Sequence, residues 1–208
     1  SSEFVAARPS EEYTFAIVTS PVGELYSKAV KVKVEQSFTR AASGGVGYAK
    51  AAGNYGGSFL ATHNAVKEGF NQVLWTDHAE HNYLEEAGTM NVAFVLNNKL
   101  VTPILSDRIL AGITRDSILT LAKEWNINIE ERRIKVDELI TALKDGSLNE
   151  AFGMGTAAVV SQINGIGFND EIFSVPIPKN GIAMRMKKAL SAIRYGESED
   201  KFNWMYHI

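Results

Sequence analysis

From Val30 to Ile193 short β-branched runs alternate with stretches of helical periodicity, and this interleaving limits the possible folds more than any other feature. Val30, Val32 and Val34 alternate with Lys31, Lys33 and Glu35, the pattern of a half-buried extended segment. Phe59, His63, Val66 and Phe70 share one helical face and Gly69 offers a stop, which predicts a helix over 56–68 with His63 in the core. Residues 72–75 read as a buried strand, and 91–96 and 99–102 flank Asn97-Asn98, a two-residue hairpin turn. Thr114 is the expected N-cap of a helix carrying Ile118, Leu119, Ala122 and Trp125, with a strand after it at 127–130. A second helix over 136–144 stops at Gly146, and two strands separated by a turn occupy 151–163. A strand at 171–177 precedes a helix capped by Asn180, carrying Ile182, Met186, Leu190 and Ile193 and ending at Gly196. Near the N-terminus, 13–19 is aromatic and β-branched and reads as a strand running into the turn at 20–23. The class is α/β (mixed α+β), a twisted mixed sheet with flanking helices, and no internal repeat is visible.

A length of 208 residues is ample for a hydrophobic core, and 45% hydrophobic with 22% charged residues is ordinary globular usage. The net charge of −3 and the absence of any Lys/Arg run argue against nucleic-acid binding. No apolar stretch approaches the ~18 residues of a membrane span. With Cys at 0, disulfides, thiolate metal sites and thiol nucleophiles are excluded, and a reducing, cytoplasmic setting is expected. The chain begins Ser1-Ser2-Glu3-Phe4 without Met, which reads as processing or as a piece of a longer protein.

Several segments could carry chemistry. The glycine-rich stretch from Gly44 to Gly57 fails the dinucleotide fingerprint at its third position, where Lys50 stands, and lacks the G-K-[ST] of a phosphate loop. It offers a lysine among small residues and two tyrosines, Tyr48 and Tyr55; desolvated there, Lys50 is a Schiff-base candidate, and otherwise it is a surface lysine in a tight loop. Leu84-Glu85-Glu86-Ala87-Gly88-Thr89-Met90-Asn91 places two carboxylates before a small-residue turn; on an extended chain only one of the two is expected to look inward. The helix start in Leu110-Ala111-Gly112-Ile113-Thr114-Arg115 and the loop Gly153-Met154-Gly155-Thr156-Ala157-Ala158 are both candidate anion cradles. His78 and His81 have chelating spacing but no evident third ligand, so no metal site is expected.

Taken in order, G-Y-A-K-A-A-G-N-Y-G-G, L-E-E-A-G-T-M-N, L-A-G-I-T-R and G-M-G-T-A-A-V-V resemble the large domain of branched-chain amino acid aminotransferases, fold-type IV enzymes that use pyridoxal 5'-phosphate. The similarity runs from Phe4 to Trp204. It implies amino transfer between leucine, isoleucine or valine and 2-oxoglutarate by a homodimer, with D-amino-acid aminotransferases and aminodeoxychorismate lyases as alternatives in the same fold. Lys50 would bind the cofactor covalently and shuttle the proton. Glu86 would keep the pyridine nitrogen protonated, Tyr55 would hydrogen-bond the ring hydroxyl, and Leu110 would pack on the ring. Ile113, Thr114 and Thr156 would hold the phosphate, with Arg40 also near it. Thr156, Ala157 and Thr89 would meet the substrate carboxylate, and Tyr26 falls in the loop that closes over substrate.

Two departures accompany the resemblance. The Cys-x-x-Cys pair of some relatives is replaced by Ala158 and Ser161. Of the family's small N-terminal domain only a tail is expected here, about 1–22, followed by a linker over 23–37 and the large domain over 38–208. The arginine that clamps the phosphate and further pocket residues would lie in the missing part, so this chain alone is expected to be weakly active, or an inert binding module.

Overall fold

The computed structural model describes residue 5, residues 8–21 and residues 28–206. Tyr26 lies outside the described residues. The elements in chain order are β1 (Val30–Val34), α1 (Ala52–Gly56), α2 (Phe59–Lys67), β2 (Gln72–Thr76), β3 (Leu84–Ala87), β4 (Met90–Leu96), β5 (Lys99–Pro103), α3 (Ile113–Glu124), β6 (Ile129–Arg132), α4 (Val136–Asp145), β7 (Leu148–Gly155), β8 (Val159–Phe168), β9 (Glu171–Ser174) and α5 (Ile182–Arg194).

The nine strands form one mixed sheet in the order β3-β2-β1-β8-β7-β4-β5-β6, with β9 on β8. A further β3–β4 pairing closes the first six strands into a barrel. Closure removes the free edge of β3 and brings both its faces under cover, which decides the fate of Glu85 and Glu86. β1 runs parallel to β2 and β8, and β5 runs parallel to β6; every other ladder is antiparallel. Val30–Val34, within the expected 23–37 linker, lies in the barrel wall between β2 and β8.

Three apolar clusters hold the layers. One gathers Val32, Leu74, Val92, Phe94, Ile163 and Ile166 with Leu139 of α4. A second packs α3 and α5 against the sheet through Ile118, Ala122, Met186 and Leu190 on Ala93, Phe152 and Met154. The third seats α2 on β2 through Ala61, Ala65, Phe70, Val73 and Trp75. Alanines let that helix approach the strand closely, so Phe59 and Val66 point to solvent, and His63 is exposed rather than a core residue.

Local signals explain most element ends. Asn97 and Asn98 have φ of 48° and 62°, as a two-residue turn matched to sheet twist requires. Gly146 ends α4 at φ 80°. The helix starts differ from expectation. Gly112, not Thr114, caps α3, and Gly181, not Asn180, precedes α5. At α5 the cap comes from another element: the buried Glu150 carboxylate on β7 accepts the N–H groups of Ile182 at 2.6 Å and Ala183 at 3.0 Å. Residues 13–19 form no strand; Tyr13, Phe15, Ile17 and Val18 are exposed and pair with no described strand. Strand propensity without a partner edge does not make a strand. Among the described residues no helix is long and apolar enough to cross a membrane.

Candidate active site

The barrel closure creates the site. The β3–β4 turn is Gly88-Thr89, where Gly88 has φ 59° and a Cβ would meet the Gln72 side chain, so glycine is favoured. The ladder sets Glu86 opposite Asn91. Asn91 Nδ2 donates to Glu86 Oε1 at 3.1 Å and to the Leu110 carbonyl at 2.8 Å, while the Leu110 N–H donates to Glu86 Oε1 at 3.0 Å. Strand β4 thereby fastens the 104–112 loop over the carboxylate. A Cβ on Gly112 would collide with Asn91 Oδ1, so this close approach also needs glycine.

Both carboxylates of the Glu85-Glu86 pair are buried, contrary to the expectation that one would face solvent. They do point to opposite faces, but the closed barrel and the loops packed on it cover both. Glu85 Oε1 is paired with Arg108 Nε at 2.5 Å, and Arg108 also donates to Ser43 Oγ at 2.5 Å. Glu86 Oε2 lies 2.7 Å from Arg40 Nε, with both side chains buried. The Nε–H points off that line, so charge rather than a formed hydrogen bond holds the pair. Burial pushes the Glu86 carboxyl up to about 7, against the opposing pull of Arg40, the Leu110 N–H and Lys50, and with Glu85 adding to the rise. Burial also raises Glu85, partly offset by Arg108.

Arg40 therefore sits at the carboxylate. Its Nη2 donates to the Gly47 carbonyl at 3.0 Å and to the Arg108 carbonyl, which ties the Lys50-bearing segment to the 104–112 loop. The same two segments are joined by Gly44 N–H to Asp107 Oδ2 at 2.6 Å and Tyr48 N–H to the Asp107 carbonyl at 3.0 Å. Lys50 is exposed rather than desolvated, and its Nζ donates to the Tyr55 hydroxyl at 2.9 Å.

One cavity of about 640 Å³ collects these groups. Lys50, Tyr55, Glu86 and Arg40 line it with Leu110, Ile113 and Thr114, and with Thr89, Thr156 and Ala157. Every site residue expected from the sequence, Tyr26 aside, thus borders the same space. The start of α3 has no side-chain cap, which leaves its first N–H groups available at the cavity wall. The β7–β8 turn carrying Thr156 and Ala157 leads into Val159 at φ 54°, a strained conformation for a β-branched residue. Asn91 and Arg194 are cavity residues that sequence reasoning missed. The E-A-G-T-M-N motif contained the first, whereas Arg194 reaches the cavity only through the packing of α5. His81 Nδ1 lies 2.8 Å from Thr76 Oγ1, and the described residues contain no cluster of three or more metal-ligating side chains.

A buried carboxylate fixed by two donors and a guanidinium, a lysine bonded to a phenol and an uncapped helix start suit a cationic ring nitrogen, a carbonyl carbon and a dianion respectively. That donor set fits pyridoxal 5'-phosphate.

Comparison with known proteins agrees with this geometry. The family model described as amino-transferase class IV matches residues 1–166. Branched-chain-amino-acid aminotransferase 2 of Bacillus subtilis (strain 168) is 44% identical over 209 residues, covering 99% of this chain and 58% of the relative. The chain thus spans under two thirds of the length of that curated relative. Among solved structures, the branched-chain aminotransferase from Thermoproteus uzoniensis with norvaline matches at TM-score 0.76 and 26% identity, over 90% of this chain and 59% of that one. The branched-chain amino acid aminotransferase from Thermobaculum terrenum in its PLP-bound holo-form matches at TM-score 0.70 and 27% identity, over 85% of this chain and 55% of that one. Carried by the family match over most of its length and by a cavity of the right chemistry, the chain belongs to the class IV aminotransferases.

Proposed function

We propose that this chain carries the cofactor and substrate site of a pyridoxal-phosphate-dependent aminotransferase that moves an amino group between branched-chain L-amino acids and 2-oxoglutarate. The observation that carries the reading is the convergence of Lys50, Tyr55, Glu86 and the start of α3 on one cavity. Relatives and neighbours named as branched-chain aminotransferases, one of them in a PLP-bound form, support the substrate and the cofactor.

Pyridoxal phosphate, when bound, supplies an electron sink that makes the substrate Cα–H acidic. Among the described residues Lys50 Nζ is the only lysine amine lining the cavity; it carries the proton to and from Cα, and the Tyr55 hydroxyl holds it in place. Glu86, as a carboxylate, holds a proton on the ring nitrogen. The Ile113 and Thr114 N–H groups bind the phosphate at a helix start, and Asp116 in the same turn faces the helix dipole in the stabilising sense. The Thr156 and Ala157 N–H groups, with the Thr89 hydroxyl, receive the substrate carboxylate. Arg40 belongs to the machinery through Glu86 rather than through the phosphate.

In this reading residues 1–22 are the end of a separate small domain, and the unit from Val30 onward supplies the site. Exposed Val46, Tyr48, Phe59 and Leu60, flanking Lys50 in sequence, are surface for the second subunit of a homodimer or for the relatives' additional length. In the same reading the enzyme works in the cytoplasm.

The test is amino transfer by the full-length protein from leucine, isoleucine and valine to 2-oxoglutarate, against D-amino acids and aminodeoxychorismate. The reading expects activity on the branched-chain L-amino acids and its loss in K50A. Preference for another donor class, or turnover that survives in K50A, overturns it.

A further inference from the structure

We propose that Arg40 is a positioning residue that favours the charged form of the buried Glu86 carboxylate and aims it into the cavity, and that it is not a phosphate ligand. The inference rests on the reading of Glu86 as the partner of a protonated ring nitrogen and goes beyond it to the group that makes this possible.

Three observations carry it. First, Arg40 Nε and Glu86 Oε2 lie 2.7 Å apart at 7% and 4% side-chain exposure, so the charges meet where water screens them little. Second, the guanidinium is fastened by the carbonyls of Gly47 and Arg108, which holds it at the carboxylate. Third, the other charged groups around Glu86 do not replace it. From β3, Glu85 is a like charge, already committed to Arg108. From the 40–50 segment, Lys50 is exposed and bonded to Tyr55. From β4 and the 104–112 loop come only neutral donors, the Asn91 amide and the Leu110 N–H, and Arg108 faces Glu85. Without Arg40 the Glu86 carboxyl, which burial already raises to about 7, would lose the largest pull toward its charged form and stay protonated into alkaline solution. A neutral acid there cannot hold a ring proton.

The experiment is a ¹³C titration of the Glu86 carboxyl in the protein freed of small molecules, assigned by its disappearance in E86Q. It compares wild type, R40M and R40K at matched circular dichroism. An opposite charge at this distance typically lowers a carboxyl by about 1–3 units, so R40M should raise the Glu86 midpoint by about that much, and R40K should restore most of it. If R40M does not fold, R40Q, which keeps donors for the two carbonyls, makes the same comparison. A second readout is retention of pyridoxal phosphate against pH. R40M should lose it at neutral pH and regain it in alkaline solution, whereas a phosphate ligand or a purely structural residue would weaken it equally at every pH. An unmoved Glu86 midpoint, or a pH-independent loss, overturns the proposal. Failure of the wild type to take up pyridoxal phosphate would overturn the functional reading instead, and the carboxyl titration would still decide the Arg40–Glu86 coupling.

Discussion

Asn91 and Glu86 face each other across the β3–β4 ladder, and one Asn91 amide joins the Glu86 carboxylate to the Leu110 carbonyl. The strand register therefore sets both the acid at the site and the loop that covers it. Replacing Asn91 with Ala leaves a buried carboxylate oxygen and a carbonyl short of a donor, which costs about 1–3 kcal/mol. Urea unfolding at neutral pH should show that loss together with weaker retention of pyridoxal phosphate. An N91A midpoint equal to wild type would separate the amide from the site.

The Glu86 carboxyl also makes stability depend on pH. Its folded value of about 7 lies above its ordinary 4.5, so the folded protein holds that proton more tightly than the unfolded chain. The contribution is fully present below the unfolded value and is lost as pH rises through the folded one. At 1.36 kcal/mol per unit the group accounts for about 3 kcal/mol across that window. In ligand-free protein, unfolding midpoints measured between these two pH values should fall with rising pH in wild type by more than in E86Q. Parallel curves for the two proteins would count against the assignment.

Glu150 anchors α5 through two backbone N–H groups, an arrangement no residue near the helix start supplies. Charge-assisted bonds of this kind are worth about 1.5–3 kcal/mol, so E150A should lower Tm markedly. E150Q, which can accept only one of the two bonds well, should fall between. Equal Tm values for E150A and wild type would show that packing alone holds the helix.

Gly88 is the residue best suited to the β3–β4 turn. G88A combines a left-handed backbone with a methyl driven into the Gln72 side chain, and should destabilise by about 1 kcal/mol or more. Thermal unfolding checks this, and an unchanged Tm would mean that Gln72 moves aside and the turn relaxes without cost.

What the sequence made legible was local. Asn97-Asn98, Gly146 and the alternating valines of β1 specify their conformation within a few residues, and the structure follows them. The site motifs were legible as well, because Lys50, Glu86, Ile113 and Thr156 each sit in a short glycine-containing segment. What stayed hidden depends on distant partners. The burial of Glu85 requires a barrel closed by β3 and β4 and an arginine 23 residues away. The α5 cap requires Glu150, 32 residues before the helix. The contact of Arg40 with Glu86 stayed hidden because sequence gives its distance from Lys50, not which carbonyls will hold its guanidinium. Residues 13–19 carry strand propensity but pair with no described edge.

The most direct test of the central claim is where pyridoxal phosphate attaches. Incubation of the protein with the cofactor, borohydride reduction and peptide mass mapping should place a single phosphopyridoxyl label on Lys50, with E86Q labelled less and K50A not at all. A label spread over surface lysines, or one that persists in K50A, would contradict the account.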